Sequence, residues 1–232
     1  GIEIPAEKLK PLKKRLKSRV MWSQIRSLLL AGRYNNLGVV PLPSLKTVDG
    51  KPVVLFRSGF TPRPGAAGSC FESLVQNGGV RHVANLYAGP MVTDDLEAGE
   101  RQAITASGGT YFLARDAKAE LAEWREDMRA KGDGGEGKRH AMKAVAKIVN
   151  EHLLKPGGMA PKGNLHVHCG GGMHRTGMVV GVIDRCLNGT AASMLEADYK
   201  RHVGWRSEAH AGGFETANMA FILGFDCSLL AK

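Results

Sequence analysis

The feature that most constrains the fold is the segment HVHCGGGMHRTG, residues 166–177. A short apolar strand pattern at 164–168 runs into three consecutive glycines, and a long apolar segment, 176–189, follows them. Glycine permits a tight turn in which several backbone N–H groups converge on one point. The N-terminus of the following helix adds a positive dipole at the same point. The segment therefore predicts a strand–loop–helix unit whose backbone can bind a phosphate group.

Two side chains of this loop can act on a bound phosphate. Arg175 stands at the predicted start of the helix, where its planar guanidinium can bind two phosphate oxygens at once. Cys169 stands at the opening of the loop, where the dipole and the N–H groups also favour a thiolate. A thiolate beneath a bound phosphoryl group is placed for in-line attack on phosphorus. The pattern therefore favours nucleophilic catalysis on a phosphate ester.

Other functions are compatible with parts of the same segment. A nucleotide-binding loop is disfavoured, because the GxxxxGK[ST] spacing and its lysine are absent. A metal site could use His166, His168, Cys169 and His174, since alternate strand positions place the first two on one face. No second ligand cluster accompanies these residues, so neither a metal nor another cofactor is predicted.

Strand and helix patterns alternate along the rest of the chain. Strands are predicted at 53–56, 80–87, 110–115 and 164–168, and helices at 70–76, 94–107, 139–154, 176–189, 191–202 and 214–223. A hairpin turn is predicted at Asp49-Gly50, in a stretch rich in proline and glycine, and a charged helix with a loop at 116–138. The alternation predicts an α/β fold, with a central and mainly parallel sheet flanked by helices.

The first 36 residues form a separate, basic extension to the predicted catalytic domain, 37–232. Residues 8–19 hold seven basic side chains and no acid, and apolar residues at helical spacing continue to about Gly32. Such a helix can contact an acidic membrane surface or nucleic acid, or it can pack its apolar stripe on the domain. The net charge of +10 likewise favours anionic partners, or serves solubility alone. The oligomeric state is left open.

Cysteine usage bears on the compartment. Four widely spaced cysteines, Cys70, Cys169, Cys186 and Cys227, form no CxxC pair and suggest no disulfide framework, so reduced thiols are expected. No apolar run approaches the roughly 18 residues that a membrane span needs. No signal peptide is visible, although the chain begins Gly-Ile rather than with Met. A cytoplasmic location is slightly favoured, and a removed leader stays compatible.

The loop and its flanks resemble the protein tyrosine phosphatase superfamily. Residues 169–176 match its Cys-x5-Arg-Ser/Thr signature, and Gly172 meets the finer form Cys-x-x-Gly-x-x-Arg. LFRSGFTPRP (55–64), followed by GGVRHVANL (78–86), is similar to the opening of compact dual-specificity and inositol-phosphate phosphatases. LEADYKRHVGWR (195–206) is similar to a helix after the loop. The resemblance covers about residues 37–225 and implies a dual-specificity phosphatase-like fold.

The resemblance implies roles for the loop. Cys169 would form a phosphocysteine intermediate, while Arg175 and backbone N–H groups hold the equatorial oxygens. Those N–H groups would come from Gly170, Gly171, Gly172, Met173 and His174. Many members have glycine in place of His174, and a histidine there can add a donor near the phosphate or point away.

Other positions match supporting residues of the superfamily. Thr176 would hydrogen-bond Cys169 and help it leave in the second step. His168 would tune the thiolate without touching substrate. Arg206 matches an arginine that in some dual-specificity members reaches a second anionic group.

The superfamily also uses an aspartate as general acid. Asp116, directly after the strand TYFLAR, fits that position, although a helix N-cap is its other reading. The gap from Asp116 to Cys169 is longer than in compact members, and the usual neighbouring proline is absent. Asp127 and Asp133 are therefore rival candidates.

These residues favour a cysteine-dependent phosphomonoesterase that uses no metal. Its substrates would be phosphotyrosine or other phosphoproteins, or inositol phosphates and phosphoinositides. An RNA 5′-phosphatase or triphosphatase of the same superfamily is the alternative, since those relatives share the loop and tend to be basic. A phosphate-binding module without turnover is disfavoured because Cys169 and Arg175 are both present. A rhodanese-like sulfurtransferase fits the RTG ending poorly.

Overall fold

A computed structural model describes residues 36–60, 70–87, 94–114, 136–203 and 214–231. Its strands are β1 (Gly38–Lys46), β2 (Pro52–Ser58), β3 (Val80–Asn85), β4 (Thr110–Leu113) and β5 (Asn164–His168). Its helices are α1 (Cys70–Gln76), α2 (Asp94–Ala106), α3 (Glu136–Val149), α4 (His174–Ile183), α5 (Ala192–Val203) and α6 (Phe214–Gly224). Short 3-10 turns lie at Pro156–Gly158 and Cys227–Leu229, and π-type turns at Asn150–Leu154 and Asp184–Asn188.

The five strands form one sheet in the order β1-β2-β5-β3-β4. β2, β5, β3 and β4 run parallel, and β1 is antiparallel to β2 at the edge. Parallel strands need helical crossovers, and the helices between them supply these. The predicted α/β fold with a mainly parallel, helix-flanked sheet is confirmed, and β5 lies at its centre.

Apolar side chains bury the sheet between two layers. The larger core joins β2, β3 and β5 to α3, α4 and α6, and the smaller one lies around α1, α2 and Phe71. α4 is buried along most of its length, as its nearly continuous apolar sequence predicted. It approaches α6 so closely at Gly181 that a Cβ there would lie 2.8 Å from Ile222 Cδ1. This packing fixes the helix that carries Arg175.

The strand β1 was not predicted, because Pro41 and Pro43 within it argue against a strand. In the structure β1 lies at the edge of the sheet, where a strand can contain prolines because a missing N–H donor is tolerated there. The turn at Asp49-Gly50 joins β1 to β2, with Gly50 at φ 79°. The predicted position of the hairpin turn is therefore correct, but the first strand of the hairpin was not predicted.

Two further expectations need adjustment. The predicted helices 139–154 and 176–189 both end in wider π-type turns, Asn150–Leu154 and Asp184–Asn188.

Cys186 and Cys227 form a disulfide with Cα atoms 5.2 Å apart, so the expectation of reduced thiols is wrong for this pair. Sequence spacing hid the bond because 41 residues separate the two cysteines and the fold brings them together.

Several predictions fall outside the described residues. They are the basic extension 1–36 apart from Asn36, the charged segment at 116–135, and the residues Asp116, Asp127, Asp133 and Arg206. Within the described ranges, no helix is long and apolar enough to cross a membrane.

Candidate active site

The predicted anion-binding loop, residues 169–173, connects β5 to α4 at the carboxyl end of the parallel strands. Ligands of open α/β sheets bind at this end, where the strand termini and the helix N-termini meet. Cys169 carries a free thiol and is 7% exposed. Gly172 has a φ of 64°, and a Cβ there would lie 2.4 Å from the carbonyl carbon of Ser58. The loop therefore turns as the three glycines predicted.

The carbonyl groups of all three glycines are held by donors from elsewhere in the chain. The N–H of Phe60 donates to Gly170 O at 3.2 Å. Asn36 Nδ2 donates to Gly171 O at 3.0 Å, and Arg57 Nη2 donates to Gly172 O at 2.9 Å. Because these carbonyls are engaged outside the loop, its N–H groups are left to face an anion. Sequence reasoning assigned no such role to Asn36, Arg57 or Phe60.

Arg57 is a buried cation beneath the loop, with 1% of its surface exposed. Its Nη1 lies 3.2 Å from Asp198 Oδ2 on α5. Burial lowers the pKa of Arg57 to about 10, and the charges of Asp198 and Cys169 oppose that fall. Arg57 therefore stays charged at neutral pH and places a positive charge in the field of Cys169.

Asn36 ties the loop to α5. Its side chain also donates to His202 O at 3.0 Å, and its Oδ1 lies 2.8 Å from His202 Nδ1. Burial and the neighbouring Arg57 lower the pKa of His202 to about 4. The ring is therefore neutral at pH 7, and its contact with Asn36 fixes the amide that holds Gly171.

Arg175 occupies the first turn of α4 and is held by the neighbouring strand. Its Nη1 donates to Leu86 O at 2.8 Å, and the N–H of Leu86 donates to His168 O at 2.7 Å. This pair of bonds links the arginine to the end of β5 from which Cys169 emerges. The predicted clamp and nucleophile therefore belong to one local network.

Thr176 and His174 also lie at the start of α4. The Thr176 hydroxyl is buried and makes no hydrogen bond within the described part of the chain. Its predicted bond to Cys169 is thus not formed in this structure, and its role in the second step stays a prediction. His174 is half-buried at the first position of the helix.

Two aromatic rings flank the loop. Phe60 and Tyr87 meet edge to face, with ring centroids 5.4 Å apart. A Cβ on Gly170 would lie 2.8 Å from Tyr87 Cε2, so the glycine lets the ring pack directly on the backbone. Phe60 follows β2 and Tyr87 follows β3, and both strands end beside the loop. Sequence reasoning assigned a role to neither ring. Phe60 is buried against the His168 ring, so of the two rings it is Tyr87 that packs on the loop backbone.

The histidines of β5 are engaged with protein groups. Ser58 Oγ lies 2.8 Å from His166 Nε2 and donates to Gly59 O at 2.6 Å. Complete burial holds the pKa of His166 well below its usual value, so this ring is neutral. His168 Nε2 lies 2.9 Å from Glu100 Oε2, although the two groups do not align as a hydrogen bond. Among the described residues, no three His, Cys, Asp or Glu side chains converge as a metal site.

The general-acid candidates Asp116, Asp127 and Asp133 lie in the segment that is not described, and so does Arg206. The structure thus brings together Cys169 and Arg175 with the loop backbone, and it leaves the acid as a prediction.

Comparison with known proteins finds similarity to solved structures only. No family model matches the chain, and no curated protein matches it. It is similar to the core catalytic domain of the PP-IP phosphatase SIW14 from S. cerevisiae, solved with citrate, at 18% identity and a TM-score of 0.45, over 74% of this chain and 80% of that one. A second structure, the Siw14 catalytic core, gives 18% identity and a TM-score of 0.43, over 82% of this chain and 88% of that one. At these values the likeness does not decide the activity of the chain.

Proposed function

We propose that the chain is a cysteine-dependent phosphomonoesterase that works through a cysteinyl-phosphate on Cys169. The observation that carries the proposal is the loop itself. Three glycine carbonyls are bonded to outside donors, and a free thiol stands at the loop's entrance at the start of a helix. This arrangement binds an oxyanion and presents a nucleophile to it.

In the first step, the thiolate of Cys169 attacks phosphorus while the P–O bond to the leaving group breaks. The loop N–H groups and Arg175 neutralise the charge on the three equatorial oxygens, which is the main source of acceleration in phosphoryl transfer. The leaving oxygen takes a proton from a general acid, for which Asp116 is the candidate, with Asp127 and Asp133 as rivals. In the second step, the carboxylate left by the general acid takes a proton from water as the water attacks the phosphocysteine. The S–P bond breaks, and Thr176 can donate to the departing sulfur.

Substrate chemistry follows from charge and shape. The net charge of +10 supports a polyanionic substrate, such as an inositol phosphate or a phosphoinositide. The half-buried ring of Tyr87, which packs beside Gly170, is also suited to contact the ring of a phosphotyrosine. A panel of phosphotyrosine peptide, phosphoinositide, inositol hexakisphosphate and triphosphorylated RNA separates these classes. A steep loss of RNA turnover with added salt would favour the RNA phosphatase instead.

The mechanism is tested by Cys169→Ser, measured on a generic aryl phosphate and by binding of vanadate or tungstate. We expect turnover to be abolished and oxyanion binding to be kept, because the backbone loop does not depend on the thiol. Cys70→Ser is the matched control, since Cys70 lies on α1 and is not part of the loop. Undiminished turnover by the Cys169 variant would refute the proposal.

A further inference from the structure

A buried hydroxyl on β2 and a buried ring on β5 have no part in the mechanism above. Ser58 and His166 are both 0% exposed. They lie on one face of the sheet, because Ser58 pairs with His168 in the parallel register of β2 and β5, and His166 lies two positions earlier. Ser58 Oγ lies 2.8 Å from His166 Nε2. An unpaired polar group is costly in such a place, so the partners of this pair indicate what it does.

The proton of the Ser58 hydroxyl points at the carbonyl of Gly59. Ser58 Oγ lies 2.6 Å from Gly59 O, and a carbonyl oxygen can only accept a hydrogen bond. A hydroxyl has a single proton, so Ser58 accepts in its contact with His166, and the proton of that contact is on Nε2. The other ring nitrogen, Nδ1, is buried and has no partner in the described part of the chain. Burial holds the pKa of His166 well below its usual value, so Nδ1 carries no proton at neutral pH.

The bond to Gly59 O fixes the peptide group between Gly59 and Phe60. In a trans peptide the C=O and the N–H point in opposite directions. With its carbonyl bonded to Ser58 Oγ, this peptide presents the N–H of Phe60 to Gly170 O, at 3.2 Å. The two segments are in close contact, since a Cβ on Gly59 would lie 3.0 Å from the same oxygen. A rotation of the Gly59–Phe60 peptide would therefore release the Gly170 carbonyl.

The Gly170 carbonyl in turn orients a peptide group of the loop. Gly170 C=O and Gly171 N–H belong to one peptide, so a carbonyl held toward Phe60 turns the N–H of Gly171 the opposite way. That N–H is one of those predicted to face the anion. Glycine has no Cβ to restrict its backbone, so bonds from outside the loop decide which way this peptide points.

We propose that Ser58 is a positioning residue of the catalytic loop and that His166 directs its hydroxyl proton. Ser58 fixes the Gly59–Phe60 peptide, and that peptide aims the N–H of Gly171 at the bound oxyanion. The inference rests on the proposed function, in which the oxyanion is the transferred phosphoryl group. Neither Ser58 nor His166 touches substrate or the reacting atoms.

The test is the affinity for tungstate, measured by isothermal titration calorimetry at a temperature where urea unfolding curves show each variant to be fully folded. Ser58→Ala frees the Gly59 carbonyl to turn, and we expect the Kd for tungstate to rise by about tenfold. Ser107→Ala is the matched control, because Ser107 Oγ also donates to a backbone carbonyl, Ile104 O, at 2.7 Å. Ser107 precedes β4 at the opposite end of the sheet, so its loss should lower stability and leave tungstate binding as it is. An unchanged Kd in Ser58→Ala would overturn the inference.

Two substitutions of His166 separate the directed proton from the packing of the ring. His166→Leu leaves no donor for Ser58 Oγ, so we expect it to weaken tungstate binding. His166→Gln can place an amide donor near the position of Nε2, so it should recover most of that loss. In a Ser58→Ala background, His166→Leu should weaken binding no further. An equal weakening in both backgrounds, or no recovery in His166→Gln, would mean that the ring acts by packing alone, against the proposal.

Tungstate binding needs no turnover, so these outcomes are independent of the result with Cys169→Ser. A wild-type protein that binds no tungstate would count against the proposed function itself. In that case, or if the variants fail to fold, nitrogen NMR of ¹⁵N-histidine-labelled wild-type protein decides the inference. We expect a neutral His166 ring with its proton on Nε2, in slow exchange with water. A proton on Nδ1 instead would reverse the bond to Ser58 and refute the proposal.

Discussion

Arg57→Met is the sharpest perturbation of the loop that the structure offers. Methionine fills much of the arginine stem and removes both the charge and the donor to Gly172 O. The change leaves a buried carbonyl unpaired, at a cost of about 1–3 kcal/mol. Asp198 loses its nearest partner, but it keeps Arg201 at 3.7 Å and is 35% exposed, so that loss costs little. We therefore expect the free energy of unfolding to fall by about 2 kcal/mol, mostly from the carbonyl.

The effect of Arg57→Met on catalysis should exceed its effect on folding. The freed Gly172 carbonyl can rotate toward the anion site, which misplaces the neighbouring N–H groups. A misplacement of about 1 Å in a catalytic arrangement costs on the order of 100-fold in rate. We expect kcat/KM on an aryl phosphate to fall by about that factor at a temperature where the variant is fully folded.

The matched control for Arg57→Met is Asp198→Asn, which removes the ion pair and leaves the Arg57 bond to Gly172 in place. We expect it to reduce kcat/KM by less than about tenfold, because the loop carbonyl stays engaged. Urea unfolding measures stability, and steady-state kinetics measures activity. A kcat/KM of Arg57→Met within about threefold of wild type would refute the role assigned to the carbonyl bond.

Three further results are expected. Gly172→Ala should abolish turnover and destabilise the fold, because the new Cβ would lie 2.4 Å from Ser58 C on a residue whose φ is 64°. A normal kcat in a soluble variant would contradict the loop geometry. Cys186→Ser should lower the free energy of unfolding by about 4 kcal/mol in the loop-entropy account, and urea midpoints unaffected by reductant would contradict the disulfide. The fold lowers the pKa of His202 to about 4, so His202 contributes stability that is full above pH 6.5 and is lost as the pH falls toward 4. Urea midpoints should therefore drop across that pH window. A flat pH profile of the midpoint, or a profile that is the same in His202→Gln, would contradict this.

Much of the fold was readable from local patterns. α1 and β5 were predicted with their observed bounds, because glycine clusters and apolar runs mark both ends clearly. β1 was missed because local propensity penalises its two prolines, whereas an edge position tolerates them. Edge position is a property of the whole sheet, so no local pattern reports it.

The candidate site likewise has one part that local sequence patterns predicted and another part that depends on the whole fold. Cys169, Arg175 and the glycines lie within one short segment, so their spacing alone predicted the loop and suggested the chemistry proposed for it. Glu100 and Tyr111 lay within predicted elements, yet no helix or strand pattern says that Tyr111 bonds Glu100 or that Glu100 lies beside His168. Parallel strand pairing brings β3 and β5 side by side with β4 next to them, and this sheet order was not readable from sequence. The disulfide escaped prediction for the same reason.

The donors that shape the loop also explain why it can stay open to an anion before any anion binds. Backbone N–H groups that face one point repel each other, and an empty loop would relieve that repulsion by flipping peptide groups. Each flip would have to break a bond from Phe60, Asn36 or Arg57, and two of these donors are themselves held by other contacts. The three donors stand on the first hairpin and its flanks, more than 100 residues before the loop. The geometry of the loop thus depends on the pairing of β2 with β5, and the loop is not expected to keep its shape without the hairpin.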